Sequence, residues 1–355
     1  MIRLECMNDT NNYDAALAVF HHGELLSSSG VHAKMNGSIS LVTVKRTLSE
    51  LCRNGLLDRQ GGGRSIEYQL TKRGLLLRKF DTHAYLRHDQ TARVGTSEFN
   101  FDLFALPTVT IFDNAEYELL DNATREFHTK GPHNDTVIRK ELSRFIVEMS
   151  WKSAQIEGNT YTLLDAEQLL LYGIKSTKNT EFETQMILNQ KAAFDFIWEN
   201  RDMWRHLHIS SIEKVHELVI HNLGVSRNLR QTSVGITGTE YTPIGNVFQL
   251  REALNQLFAY IDALPNAYDK ALMIVLGLSY IQPFADGNKR TARMIANGLL
   301  LAHGYAPVSY RAVDETAYKE ACLVFYEQNS AQPFKQLFIE QYVYSATHYN
   351  IADLA

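Results

Sequence analysis

The sequence predicts a mainly α-helical protein, a helical bundle with a small β-hairpin flap, preceded by a smaller unit of two helices and a hairpin. Three observations carry that prediction. From Asn134 onward, apolar residues recur three and four apart in one segment after another. One stretch rich in Gly and Thr, Gly224 to Pro243, interrupts that run. Before residue 82, a helical pattern leads into two alternating runs around Gly61, Gly62 and Gly63. The 355 residues exceed one typical domain of roughly 100–200, and an apolar content of 45% is ordinary for a packed globular chain. The expected division is 1–82, a connector over 83–130 packed on the core, and the bundle over 131–348.

Taken in order, NNYDAALAVFHHGELLSS is helical in pattern. Ser40 is an N-cap candidate, and Leu41, Val44, Leu48 and Leu51 line one face of a helix that stops near Gly55. LLDRQ and SIEYQL follow as strands, Ile66, Tyr68 and Leu70 alternating with polar residues across the glycine turn. Helix, helix and hairpin over about residues 10–82 resemble a winged helix-turn-helix domain. Ten Lys/Arg face three acids between Val31 and Lys79, a local +7 that leaves −12 elsewhere in a chain of net charge −5. On the winged-helix resemblance, the helix from Val42 to Asn54 lies in a major groove of double-stranded DNA. Thr43, Lys45, Arg46 and Arg53 then meet bases or phosphates, and Arg59 and Arg64 meet the backbone from the wing. The same basic residues also fit a solvated face on a protein-binding module.

From His83 to about Phe127 the pattern is irregular and aromatic, as expected of a packed connector rather than a disordered one. Helices are then predicted from Val137 to Asn159, Glu181 to Trp198, Ile209 to Asn222, Val247 to Leu264, after Lys289, and from Glu315 to Gln328. ALMIVLGLSYI, Ala271 to Ile281, is about half of the roughly 20 residues a membrane span needs, so it is expected as a buried helix. Cys6, Cys52 and Cys322 are too few and too scattered for a disulfide framework, and the N-terminus has no signal-peptide pattern. A cytoplasmic setting with no membrane partner is the expectation.

The stretch that carries chemistry is YIQPFADGNKRTARMIAN, Tyr280 to Asn297. Gly287 and Asn288 permit a bend that leaves backbone N–H groups free at a helix start, an anion site by geometry and dipole. Arg290 and Arg293 share one face of that helix, Asn297 follows a turn later, and Lys289 adds charge. Asp286, just before the bend, is suited to Mg²⁺ beside a polyphosphate. A nucleoside triphosphate with its metal fits this set. So does a capped helix whose arginines pair with surface acids.

The loop resembles the Fic family motif, H-P-F-x-[D/E]-G-N-[G/K]-R-x-x-R. Pro283, Phe284, Asp286, Gly287, Asn288, Lys289, Arg290 and Arg293 match it, and Gln282 stands at the histidine position. SAQIEGN, with Ser153, Glu157, Gly158 and Asn159, is similar to the family's inhibitory motif [S/T]-x-x-x-E-[G/N]. The segment with Gly235, Ile236, Thr237, Gly238 and Thr239 resembles the flap that docks a target by strand addition. The likeness extends over about residues 130–345. It implies transfer of AMP from ATP to a Ser, Thr or Tyr hydroxyl of a target protein. Asp286 would bind Mg²⁺, the loop at Gly287 and Asn288 with Arg290 would hold the α- and β-phosphates, and Arg293 the γ-phosphate. Glu157 would pair with Arg293 and exclude ATP.

Gln282 departs from the pattern at the catalytic position. An amide does not titrate and cannot act as the general base that imidazole is, so about 10²–10⁴ in rate is forfeited while phosphate positioning survives. None of His206, His208, His216, His221 and His303 has a spacing that brings it to the loop. The expectation is a nucleotide-binding, autoinhibited and catalytically impaired protein with a DNA-binding regulatory role. Its alternatives are a transferase of low rate or an AMP-removing hydrolase that uses Glu157. A second copy of the chain is a further candidate partner.

Overall fold

The structure, a computed structural model, describes residues 12–63, 65–79, 81–129 and 135–352. Cys6 and Arg64 lie outside the described residues. The chain divides into two compact units. Unit one contains the residues up to Leu103 together with Ile236–Tyr241 and Leu323–Phe334; unit two contains Phe104–Gly235, Thr242–Cys322 and Lys335 onward. The first boundary therefore falls after Leu103, so that residues 83–103 belong with the N-terminal elements.

In unit one, residues 12–18 are helical, followed by β1 (Leu26–Ser27), α1 (Ser28–Lys34), α2 (Leu41–Arg53), β2 (Leu57–Gln60) and β3 (Glu67–Leu70). Ser40 caps α2 by accepting from Thr43 N–H at 3.1 Å. Val44, Thr47, Leu48 and Leu51 of α2 are buried, and the hydrophobic residues of that face join Phe20, Val31, Leu57, Tyr68 and Leu70 in one core. The strands form an antiparallel sheet in the order β1-β3-β2, with Leu57 opposite Leu70 and Gln60 opposite Glu67. α3 (Lys72–Leu77) and α4 (Thr82–Leu86) complete the regular helices before residue 103.

Unit two opens with a correction. The second half of the connector is helical, α5 (Asn114–Thr129), with Leu120, Ala123 and Phe127 buried. Its start is a reciprocal cap: Glu116 N–H donates to Asp113 Oδ1 at 2.9 Å and Asp113 N–H to Glu116 Oε2 at 2.8 Å. Then come α6 (Asp135–Ile156), α7 (Leu163–Tyr172), α8 (Glu181–Glu199), α9 (Ile209–Val219), α10 (Val247–Ala263), α11 (Ala267–Ile281) and α12 (Asn288–Ala302). α13 (Glu315–Gln328) and α14 (Gln332–His348) follow, their adjoining ends over Leu323–Phe334 belonging to unit one. α7 and α14 were not anticipated. Every residue of α11 is buried, and α11 pairs with α12 at the centre of the unit. Among the described residues no helix is long and apolar enough to cross a membrane.

The expected hairpin over Gly224–Pro243 is absent: no strand forms there. Its backbone groups are spent elsewhere, Arg230 N–H on Pro283 O at 3.0 Å and Tyr241 N–H on the hydroxyl of Thr239 at 3.0 Å. The Arg230 side chain holds Thr232 O at 2.8 Å as well. No cross-strand ladder remains for these groups to make.

Candidate functional site

The loop between α11 and α12 is set by side chains that fold back on it. Gln282 caps α11 in the left-handed conformation, φ 51°, and its side-chain amide donates to Ser279 O at 2.6 Å. Asn288 closes the loop. It accepts from Phe284 N–H at 2.9 Å and donates to Phe284 O at 2.9 Å and to Gln282 Oε1 at 2.8 Å. Both ends of the Gln282 amide are therefore engaged. Gly287 turns at φ 82°, and a Cβ there would fall 2.9 Å from Ile220 Cγ2, so both conformation and space call for glycine.

Two residues that were not expected at this loop shape it. Arg230, 4% exposed, donates through Nε to Gln282 O at 2.6 Å and caps the carboxyl end of α11 with positive charge. His216 corrects the expectation that no bundle histidine reaches the loop. α9 brings its ring flat against Phe284, centroids 3.6 Å apart, with Nε2 2.9 Å from Asp286 O. Burial lowers the His216 pKa, opposed by the hydrogen bonds to Asp286 O and Arg227 O. Both ring nitrogens face main-chain carbonyls, Nδ1 facing Arg227 O at 3.3 Å. The ring is thus a support for the loop. Sequence spacing could not find it, because the contact spans 70 residues.

On α12, Arg290 and Arg293 point from one face and are almost wholly buried. Arg290 Nη2 bonds Asp286 Oδ2 at 2.7 Å, while its Nη1 is buried with no hydrogen-bond partner. Arg293 donates from Nε to Ser153 Oγ at 3.1 Å, and from Nη2 to Ser153 O at 2.8 Å and Glu157 Oε1 at 3.0 Å. Lys289 Nζ lies 3.0 Å from the other Glu157 oxygen. Glu157 is delivered by the end of α6, where Gly158 reverses the chain at φ 95° and Asn159 fastens the turn to Glu183 O at 2.8 Å. Burial alone would raise the Glu157 pKa, but Arg293, Lys289 and Arg290 together hold it at about 2.

Asn297 is placed differently from expectation. Its amide donates to Val308 O at 3.1 Å and accepts from Val308 N–H at 2.7 Å. Both groups serve the chain beyond α12 and leave none for an anion. Asp286 is mostly exposed. Among the described residues no cluster of three or more His, Cys, Asp and Glu forms. A single carboxylate suits Mg²⁺ held mainly by substrate phosphates and water.

The flap segment turns at Thr237–Gly238, Gly238 at φ 85°, with Thr237 exposed and Thr239 buried. Gly238 O accepts from Arg93, whose guanidinium also pairs with Glu327 at 2.7 Å. Gly235 and Ile236 fall on either side of the unit boundary. Lys45, Arg46, Arg53 and Arg59 are exposed, whereas the hydroxyl of Thr43 lies 2.9 Å from Ser40 Oγ in the helix cap.

Residues 206–300, which include this loop, match the Fic/DOC family model. The loop between α11 and α12 therefore lies inside a Fic/DOC-like segment. Among curated relatives, it is 24% identical over 210 residues to protein adenylyltransferase fic-1 of Caenorhabditis briggsae, covering 57% of this chain and 40% of that protein. It is 26% identical over 205 residues to protein adenylyltransferase Fic of Aedes aegypti, covering 55% and 40%. The chain thus spans well under two thirds of the relatives' length. The solved Fic-1 of C. elegans, residues 134–508, shares the fold at a TM-score of 0.57 and 20% identity, covering 66% of this chain and 72% of that one. A Fic family protein from Desulfovibrio desulfuricans does so at 0.56 and 19%, covering 68% and 75%.

Proposed function

We propose that this Fic-like domain binds ATP with Mg²⁺, is autoinhibited by Glu157, and is impaired as a protein adenylyltransferase because Gln282 replaces the motif base. The observation that carries the reading is a contrast inside one loop. The Gln282 amide has both ends satisfied, while Arg290 Nη1 is buried without a partner. α12 also starts at Gly287 with no side chain capping its first N–H groups. An orphaned guanidinium nitrogen beside open helix amides is what a polyphosphate would complete.

In that role Gly287, Lys289 and Arg290 would hold phosphate oxygens, Asp286 the metal, and Arg293 the terminal phosphate once Glu157 lets go. Asn288 acts through the loop's shape. Bound ATP with Mg²⁺ would supply an activated α-phosphate to a target hydroxyl. Gln282, at the position of the motif base, cannot take that hydroxyl's proton, since an amide does not titrate. Use of Glu157 as a water-activating base would require it to leave both Arg293 and Lys289. The segment 235–239 is the docking site for a target chain, and the basic face of unit one is a contact for duplex DNA.

The test is labelling of lysate proteins with ATP carrying a label at the α-phosphate, using wild type, Gln282→His, Glu157→Gly and the double variant. Labelling is expected about 10²–10⁴-fold above wild type in the double variant. Equal labelling by wild type and Gln282→His would retire the impaired reading in favour of an active transferase. For DNA, the full chain is titrated with duplex at two salt concentrations, and binding must strengthen as salt falls.

A further inference from the structure

The most exposed large hydrophobic residue among those described is Val42, at 79%. It stands in the first turn of α2, the helix whose opposite face fills the core of unit one with Val44, Leu48 and Leu51. Its neighbours on the open face are Lys45, Arg46, Ser49 and Arg53, all exposed. The Ser40 cap fixes this turn and engages the Thr43 hydroxyl at 2.9 Å. The group presented most fully outward from the first turn is therefore the Val42 isopropyl, set among cations, with Leu41 less exposed at 37%.

A single exposed valine needs no explanation on an ordinary surface. Here the surroundings select a partner. A polyanion complements the exposed charge of Lys45 and Arg53, in a segment of local charge +7. An apolar contact within a polyanion's reach requires a ligand that carries both phosphates and a methyl group. Duplex DNA offers that combination in the major groove, where the thymine 5-methyl marks a T·A pair. The first turn of a groove-lying helix is also where base edges are met. We propose that Val42 is a specificity-determining residue that packs on a thymine methyl and makes the N-terminal unit select a T·A pair at one position of its site. This rests on the reading of that unit as a duplex-DNA binder.

The experiment begins with selection of duplexes by the full chain from a random-sequence pool. The tightest duplex is resynthesised with deoxyuridine in place of each thymidine in turn, which removes one methyl and no charge. Wild type is expected to lose about fourfold in affinity at one position, or at one per half-site, the worth of one buried methyl-sized group. Val42→Ala should bind the thymidine duplex more weakly by a similar factor and should be indifferent to uridine there. The substitution removes no core contact, so the fold is retained. If no uridine substitution weakens binding, or if Val42→Ala keeps the wild-type preference, the assignment to Val42 is overturned while DNA binding stands. Should no duplex be enriched or bound even at low salt, the DNA reading itself fails, and the Val42 assignment with it.

Discussion

The two halves of the loop between α11 and α12 are held by different physics. The side chains of the Gln282 half are closed by neutral hydrogen bonds among Gln282, Asn288, Ser279 and Phe284, with the Arg230 guanidinium on the Gln282 main-chain carbonyl. The half at α12 is held by charge, with Glu157 between Lys289 and Arg293 and one Arg290 nitrogen unmatched. A network complete in itself offers nothing to a substrate. One balanced by a single removable carboxylate is poised to exchange that carboxylate for another anion. The difference teaches that an amide at position 282 can close its own half of the loop without disturbing the charged half.

The largest effect that would test this contrast is on stability. Glu157→Gln removes the charge that neutralises buried Arg293. With the Glu157 pKa at about 2 against an ordinary value of 4.5, the loss at pH 7 is expected at ~3 kcal/mol. Trp151, Trp198 and Trp204 all belong to unit two, so urea unfolding followed by tryptophan fluorescence reports on the correct unit. Gln282→Ala, which deletes only neutral bonds, should cost about 1 kcal/mol by the same measurement. Equal losses would mean that the two halves do not differ in the way described.

The next effect is on ligand binding. With the carboxylate removed by Glu157→Gly, the further change Arg293→Ala is expected to weaken ATP binding about 10- to 100-fold by calorimetry, as befits a charge-assisted bond to phosphate. Gln282→Ala in the same background should change it by less than about threefold. A large loss from Gln282→Ala would show that the closed half also holds nucleotide.

How much of this was legible in the sequence varied with the range of the interaction. Helices written in three and four spacing, α2, α8, α10 and α12, lie within a few residues of their expected ends, because local periodicity and caps determine them. α5 was hidden since its starting signal, Asp113 with Glu116, sits inside an aromatic stretch that looks irregular by composition. The flap's Gly and Thr content resembled a hairpin, but β-propensity depends on having a partner strand, and none is offered. The loop's own residues were legible because a glycine bend followed by paired arginines is a local signal. His216 and Arg230 were not, for their roles depend on where α9 and residue 230 come to lie against positions 52 to 70 residues away. Asn297 misled for the opposite reason: helical spacing gave its face correctly but said nothing of Val308.

The smallest expected effect is the response to mild acid, and it sharpens the contrast because the Glu157 carboxylate titrates whereas the Gln282 amide does not. The folded-state pKa of Glu157 is depressed to about 2 from an ordinary 4.5. Its contribution to stability is therefore fully present above about 4.5 and is lost as pH falls toward 2. The stability gap between wild type and Glu157→Gln should stay constant from pH 8 to about 5.5, narrow below pH 4.5, and vanish near pH 2. By the same sign, the ATP-affinity gap between wild type and Glu157→Gly should be unchanged between pH 8 and 5.5, because the carboxylate stays ionised and clasped throughout. A gap that closed by pH 5.5 would mean that Glu157 is protonated far above pH 2, and that Lys289 and Arg293 do not hold it as an anion.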